Sequence, residues 1–314
     1  MNPVVRQLAA GDVPEADRVF RLAFGTFLGL PDPQSFTGDA DIVGTRWRAS
    51  PGLALGAYRD DRLVGSSFAT CWGRFGFVGP VTVHPALWDK GVAKLLMAET
   101  VGMLERAKVQ QAALITFAHS AKHIALYQKF GFWPQFLTPV MSKQVAVGTG
   151  SLDGWLRYST LDAAGQAARL AGCAGLTEAL LAGLDLTPEI KAIERQRLGD
   201  TLLLEDDRGI AAFASCHIGK GSEAGTGVLF VKFAAARPGA GASALFARLL
   251  DACEALAAQA GCRELVAGVN TARHEAYRQI IDRGFRAFME GVAMLRPNEP
   301  AYNRPDCFVI DDLR

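Results

Sequence analysis

The order of structural signals along residues 1–147 returns along residues 152–314, and this repetition constrains the fold more than any other feature. In the first copy, residues 4–8 read as a strand. Asp12, Val13 and Pro14 then open a helix running to about residue 24. Residues 53–58 and 63–70 form a hairpin around Arg59, Asp60, Asp61 and Arg62. A strand ending at Val81, Thr82 and Val83, a glycine-bearing loop, a helix, a strand over residues 113–118 and a short helix follow. The second copy runs through a strand at 155–159 and helices at 161–182 and 187–197, the latter capped by Thr187 ahead of Pro188. A hairpin at 201–204 and 210–217, a strand at 228–233, a loop from Arg237 to Ser243, a helix, a strand at 264–269 and a short helix at 276–284 complete it. Duplication at a period near 150 residues predicts two domains, 1–147 and 152–314, each burying its own core and joined by a small, glycine-bearing linker at 145–151. Residues 297–314 read as an extended, packed tail.

Composition narrows the class. Half the residues are apolar, 21% are charged, and the net charge of +1 gives no general attraction to nucleic acid or an anionic membrane. The first residues carry charges where a signal peptide needs an apolar core, and no apolar run approaches the ~18 residues of a membrane span. The six cysteines show no C-x-x-C spacing and no histidine at finger distance. A cytoplasmic protein with free, mostly buried thiols and no metal is expected.

The chemistry concentrates at residues 79–97. Pro85 stops the strand that carries Val81, Thr82 and Val83, because it offers no N–H to a ladder. Gly91 turns the loop, and Val92, Leu95, Leu96, Met103 and Leu104 recur at helical spacing to about Lys108. Strand, loop and helix N-terminus point backbone N–H groups and the positive end of a helix dipole at one place, which suits phosphate. Lys90 and Lys94 add positive charge there, and Asp89 opposes them. The stretch has neither a GK[ST] ending nor G-x-G-x-x-G.

It resembles the central motif of the GNAT acetyltransferases, a strand V-x-V-H-P followed by Q/R-x-x-G-x-G/A, here Trp88, Asp89, Lys90, Gly91, Val92 and Ala93. Trp88 departs from the usual Gln or Arg. A second stretch, His123-Ile124-Ala125-Leu126-Tyr127-Gln128-Lys129-Phe130-Gly131-Phe132, is similar to the family's A-x-x-L-Y-x-K-x-G-F motif and lies in the right order, with Tyr127 about 36 residues beyond Gly91. The resemblance implies two GNAT-like α/β domains in tandem, each a mixed, mostly antiparallel sheet with helices on both faces. It implies acetyl-CoA as co-substrate and a small-molecule or peptide amine as acceptor, joined by direct attack on the thioester. Backbone N–H groups of Val81, Thr82 and Val83 would hold the pantetheine and polarise the carbonyl. The loop from Trp88 through Asp89, Lys90, Gly91, Val92 and Ala93 to Lys94 would hold the pyrophosphate. Ser120 stands where many members have Asn. Tyr127 would protonate the departing thiolate, a role that suits a phenol neutral at pH 7.

Phe27, Leu28, Phe36 and Trp47 fall in or near the segment that lines the acceptor site in the family, or else simply cover the core. His84, His119 and His123 lie near the expected cleft, and no general base is assigned. In the second copy Ile280 stands four residues before Gly284, where Tyr127 stands before Gly131. An isoleucine donates no proton, so the first domain is read as the catalyst. Two active domains, or an acyl-CoA-binding protein without turnover, are the alternatives. The chain is expected to be a monomer with pseudo-dimeric domains or a homodimer.

Overall fold

The computed structural model describes residues 3–146, 148 and 150–313; Val147 and Thr149 of the expected linker lie outside the described residues. The first half contains β1 (Val4–Gln7), α1 (Val13–Phe27), α2 (Ile42–Ala49), β2 (Ala54–Arg59), β3 (Arg62–Trp72), β4 (Phe75–Val83), α3 (Val92–Arg106), β5 (Gln111–Phe117), α4 (Ala121–Gln128) and β6 (Trp133–Gln144). The second half contains β7 (Trp155–Arg157), α5 (Ala163–Leu180), α6 (Thr187–Gln196), β8 (Gly199–Asp206), β9 (Gly209–Gly219), β10 (Gly225–Ala236), α7 (Ala242–Gln259), β11 (Glu264–Gly268), α8 (His274–Asp282), β12 (Arg286–Arg296) and β13 (Val309–Ile310).

Local chemistry explains most boundaries. Asp60 and Asp61 both take positive φ, 51° and 58°, the twist a two-residue hairpin turn requires and one that a short polar side chain tolerates. Two expected caps act elsewhere. The Asp12 carboxylate accepts from the Tyr58 hydroxyl at 2.6 Å and makes no cap bond to α1. Thr187 is the first residue of α6, and Asp185 accepts from its N–H at 2.8 Å. The stretch at 25–41 is more regular than expected, since α1 continues to Phe27 and a short 3-10 turn spans Pro33–Ser35.

All the strands join one mixed sheet, in the order β1-β2-β3-β4-β5-β12-β6-β11-β10-β9-β8-β7, with β13 on β10. β4–β5 and β10–β11 run parallel, and the other pairings are antiparallel. The order shows that the halves exchange a strand. β12 of the second half pairs with β5 of the first, and β6 of the first pairs with β11 of the second. The two exchanged strands also pair with each other.

The cores are shared accordingly. Met141 of β6 packs in the cluster under α7, and Val292 and Met294 of β12 pack with Met97, Met103 and Leu104 of α3. Along β10, Leu229, Val231, Ala234 and Ala236 face α7, whereas Phe233 and Ala235 face α5 and α6. Helices therefore cover both faces, and each half depends on the other to complete its sheet, which corrects the expectation of two independent cores.

Candidate active site

β4 and β5 begin as a parallel pair and then part. Among the described residues they pair only through Phe75, Gly76 and Phe77 against Gln111, Ala112 and Ala113. Beyond that point β4 stays with β3, with Val81, Thr82 and Val83 opposite Ser67, Ser66 and Gly65. The His84 N–H donates to Val64 O of β3 at 2.9 Å. Because amides alternate along a strand, the Val83 and Val81 N–H groups turn the other way, toward β5. The Thr82 amide turns back to β3, and its buried hydroxyl lies 2.9 Å from that of Ser66. Two of the three expected amides thus face the cleft.

The loop that follows is held by its own side chains. His84 Nδ1 accepts from the Ala86 N–H at 3.2 Å, so this histidine caps the 3-10 turn at Pro85–Leu87. The Trp88 indole N–H donates to Val83 O at 2.8 Å, fastening the loop to the strand end. Lys90 Nζ donates to Ala86 O at 2.9 Å, and Asp89 pairs with Lys122 of α4 at 2.7 Å. Gly91 is the N-cap of α3 at φ 84°, with no side-chain bond to the first turn. A Cβ at Gly91 would meet nothing within 4 Å, so its φ, not crowding by the protein, demands glycine. Orphan N–H groups of the first turn therefore face an open flank, with Val92 buried beneath and Lys94 exposed beside them. Such a cradle fits a pyrophosphate.

Ser120 caps α4, its hydroxyl accepting from the His123 N–H at 3.4 Å. Tyr127 packs with Val81, Ile124 and Phe130 against the cluster containing Met97 and Phe132. Burial pushes its phenol up to about 12, so it carries its proton throughout the neutral range. Gly131, at φ 80°, supplies the turn out of the helix.

The opposite side is aromatic. The Phe27 ring stacks on His119 at 5.7 Å and lies 4.8 Å from His123, and Phe24 stacks on Phe36 at 5.3 Å. Burial, then Lys122 and His119, lower the His123 pKa and favour its neutral form. Leu28 is exposed, whereas Trp47 turns inward and donates to Leu8 O at 3.0 Å. Arg21, unremarked in the sequence, binds the carbonyls of Phe36, Gly38 and Ala40 at 2.6–2.7 Å and shapes this loop. The second half fastens it: Asp39 accepts from the Thr226 N–H and hydroxyl at 2.8 and 2.6 Å, and the Asp41 N–H donates to Ser222 O at 2.9 Å.

Beneath the cleft lies a buried charge cluster that sequence reasoning missed. Arg46 donates to Gly79 O at 2.7 Å, just before the cleft-facing part of β4, and forks onto Glu223 at 3.0 and 2.9 Å. Lys232 donates to the same carboxylate at 2.8 Å. Burial opposes the charge of Glu223, but Arg46 and Lys232 outweigh it and hold the carboxyl well below the usual range. A lysine inside the apolar strand 228–233 was the available signal, since a buried ammonium requires a carboxylate.

A strand that parts from its parallel neighbour, an open helix N-terminus and a half-buried phenol fit the transfer of an acyl group from acyl-CoA to an amine. Residues 19–132 match the model of the Acetyltransferase (GNAT) family, and this match supports an N-acetyltransferase with acetyl-CoA as co-substrate. Among solved structures, a protein from Pyrococcus horikoshii described as an acetyltransferase aligns with a TM-score of 0.70 at 16% identity, covering 100% of this chain and 95% of its own. A GCN5-related N-acetyltransferase from Sphaerobacter thermophilus gives 0.60 at 15% identity, covering 93% and 95%. Identities this low establish the shared fold. No curated protein matches the sequence. Among the described residues there is no metal-holding group of His, Cys, Asp or Glu, and no helix is long and apolar enough to cross a membrane. All six cysteines are free, and all but Cys71 are buried.

Proposed function

We propose that residues 1–147 form the catalytic unit and that residues 152–314 serve it as a structural partner. The observation that carries this reading is the half-buried phenol of Tyr127, which shares a cluster with Val81 at the edge of the β4–β5 cleft. Its counterpart Ile280 is a fully buried core residue under α7.

The co-substrate supplies an activated acetyl thioester. The Val81 and Val83 N–H groups bind along its pantetheine and polarise the carbonyl as negative charge develops there. The first-turn amides around Gly91, Val92 and Ala93 receive the pyrophosphate, with Lys90 and Lys94 adding positive charge. Trp88 and Ser120 act indirectly, by fixing the strand end and the start of α4. Tyr127 gives its proton to the thiolate as the C–S bond breaks. The desolvation that raises the phenol also raises a thiolate formed beside it, which offsets the widening of the gap the proton must cross.

An amine acceptor enters from the side of Phe27, Leu28, His119 and His123, where the neutral imidazole of His123 and solvent can take its proton. The loop bonded to Asp39 and Asp41 belongs to the second half, which walls this side as a second subunit would. The test is steady-state kinetics of Tyr127→Phe with a panel of small-molecule and peptide amines. A turnover number reduced about a hundredfold, with acetyl-CoA affinity kept, supports the reading. Turnover at the wild-type rate refutes it.

A further inference from the structure

The two clefts can be compared residue by residue. The last parallel pair is Phe77 with Ala113 in the first half and Phe230 with Val266 in the second. The same distance further on lie Val83 and Ala236. Just beyond them the Arg237 N–H donates to Ala211 O at 2.8 Å, as the His84 N–H donates to Val64 O. By this register Ala234 and Ala236 correspond to Val81 and Val83, and Arg273 at the N-cap of α8 corresponds to Ser120.

In the second half the space between the parting strands is filled by the chain itself. β13 pairs antiparallel with β10, Ile310 opposite Ala234 and Val309 opposite Ala235. The Ala236 N–H, counterpart of the Val83 donor, bonds Phe308 O at 3.0 Å, and the Asp311 N–H bonds Gly268 O of β11 at 3.0 Å. Gly268 is glycine because a Cβ there would lie 2.3 Å from Cβ of Asp312. Phe308 and Ile310 point into the core under α7, while Cys307 and Val309 point into the core under α5. Arg273, buried, donates to Asp311 O at 2.7 Å, and the buried Tyr302 hydroxyl bonds the Asp311 carboxylate. The polar groups of the second loop are also engaged within the chain: Arg237 is paired with Asp206, and Gln279 donates to the Ser243 hydroxyl at 2.8 Å.

We propose that residues 308–312 are the standing occupant of the second cleft, taking between β10 and β11 the place that acyl-CoA takes between β4 and β5. The chain then holds one acyl-CoA, and the second half holds none. This rests on the reading that Val81 and Val83 hold the co-substrate. A tethered strand outcompetes a diffusing ligand for the same amides, because its effective concentration is set by the chain. Its removal would also strip the buried Arg273 and Tyr302 of their shared partner Asp311.

Titration calorimetry of the full chain with coenzyme A is expected to give one ligand per chain. Gly91→Asp places a carboxylate at the first turn of α3 and is expected to weaken binding at least about tenfold. Gly241→Asp, at the matching N-cap of α7, is expected to leave affinity and stoichiometry unchanged. A Cβ there meets nothing within 4 Å at φ −91°, and Asp suits an N-cap, so this variant folds. Hydrogen exchange reads the clefts separately: saturating coenzyme A should slow exchange at Val83 and leave Ala236 and Asp311 as they were. Two ligands per chain, one of them lost in Gly91→Asp, or faster exchange at Asp311 on saturation, overturns the standing occupant and leaves the first site intact. A single ligand lost in Gly241→Asp and kept in Gly91→Asp overturns both. Binding kept in both variants, with Val83 and Ala236 exchange unmoved, overturns the first site while the second cleft stays closed.

Discussion

Replacing Glu223 by alanine leaves the Arg46 guanidinium and the Lys232 ammonium close together without the carboxylate that now bonds both. Breaking a buried pair by removing one partner costs about 3–5 kcal/mol. Lys232 sets a ceiling on that cost, because it can shed its proton. From an unfolded value near 10.4 this costs about 4.6 kcal/mol at pH 7. Burial, then Arg46, already lower the Lys232 pKa, and the carboxylates Glu223 and Glu189 oppose them. In the variant the folded pKa falls further. Between the folded and unfolded values the unfolded chain binds more protons, so stability of the variant rises with pH, by up to about 1.4 kcal/mol per unit. The wild type behaves differently at the acid end. The depressed Glu223 carboxyl contributes stability above its unfolded value near 4.3, and that contribution is lost as pH falls through its folded value. Denaturant unfolding of wild type and Glu223→Ala at pH 7 and pH 9 measures the first effect, and following the wild type into the acid range measures the second. The expected loss is about 3–5 kcal/mol at pH 7, shrinking by about 2 kcal/mol at pH 9, with most of it restored by adding Lys232→Met. A loss under about 1 kcal/mol, or one independent of pH, would refute the argument that this cluster is closed to water.

Three further outcomes follow from the site and the sheet. Besides the drop in Tyr127→Phe, the wild-type turnover number should show no alkaline fall from this phenol below about pH 10, since it titrates near 12; a pH profile of kcat checks it. Ile280→Ala should cost about 2–5 kcal/mol in unfolding free energy while kcat at 20–25 °C stays within about twofold, because Ile280 is core and not proton donor. Residues 152–314 expressed alone lose β6 from between β11 and β12 and should not form a stable monomer by sedimentation and circular dichroism; a folded monomer would show that the exchanged strand is dispensable.

The elements legible in the sequence were those with a local signal. The hairpin at residues 59–62, the amphipathic α3, Pro85, Gly91 and the Tyr127–Gly131 pair announce themselves through turn chemistry, periodicity and φ preference. β6 and β12 gave no such signal. β6 carries Pro134 and Pro139, which argue against an interior strand, and β12 carries exposed Phe288 beside Glu290 and Gly291.

The sequence by itself determined the repeated order of elements, the turn geometry of the glycine-bearing loop and the asymmetry between Tyr127 and Ile280. These depend on residues within a few positions of one another, where backbone conformation follows from side-chain type. The tertiary structure alone decided which strand completes which half, which carboxylate neutralises Arg46 and Lys232, and what lies between β10 and β11. Each of these depends on contacts between residues far apart along the chain, such as Arg46 with Glu223 and Ala234 with Ile310. Hydrogen-bonding edges and buried charges are satisfied by whichever partner the packed fold brings within reach, and no local pattern encodes that partner's position.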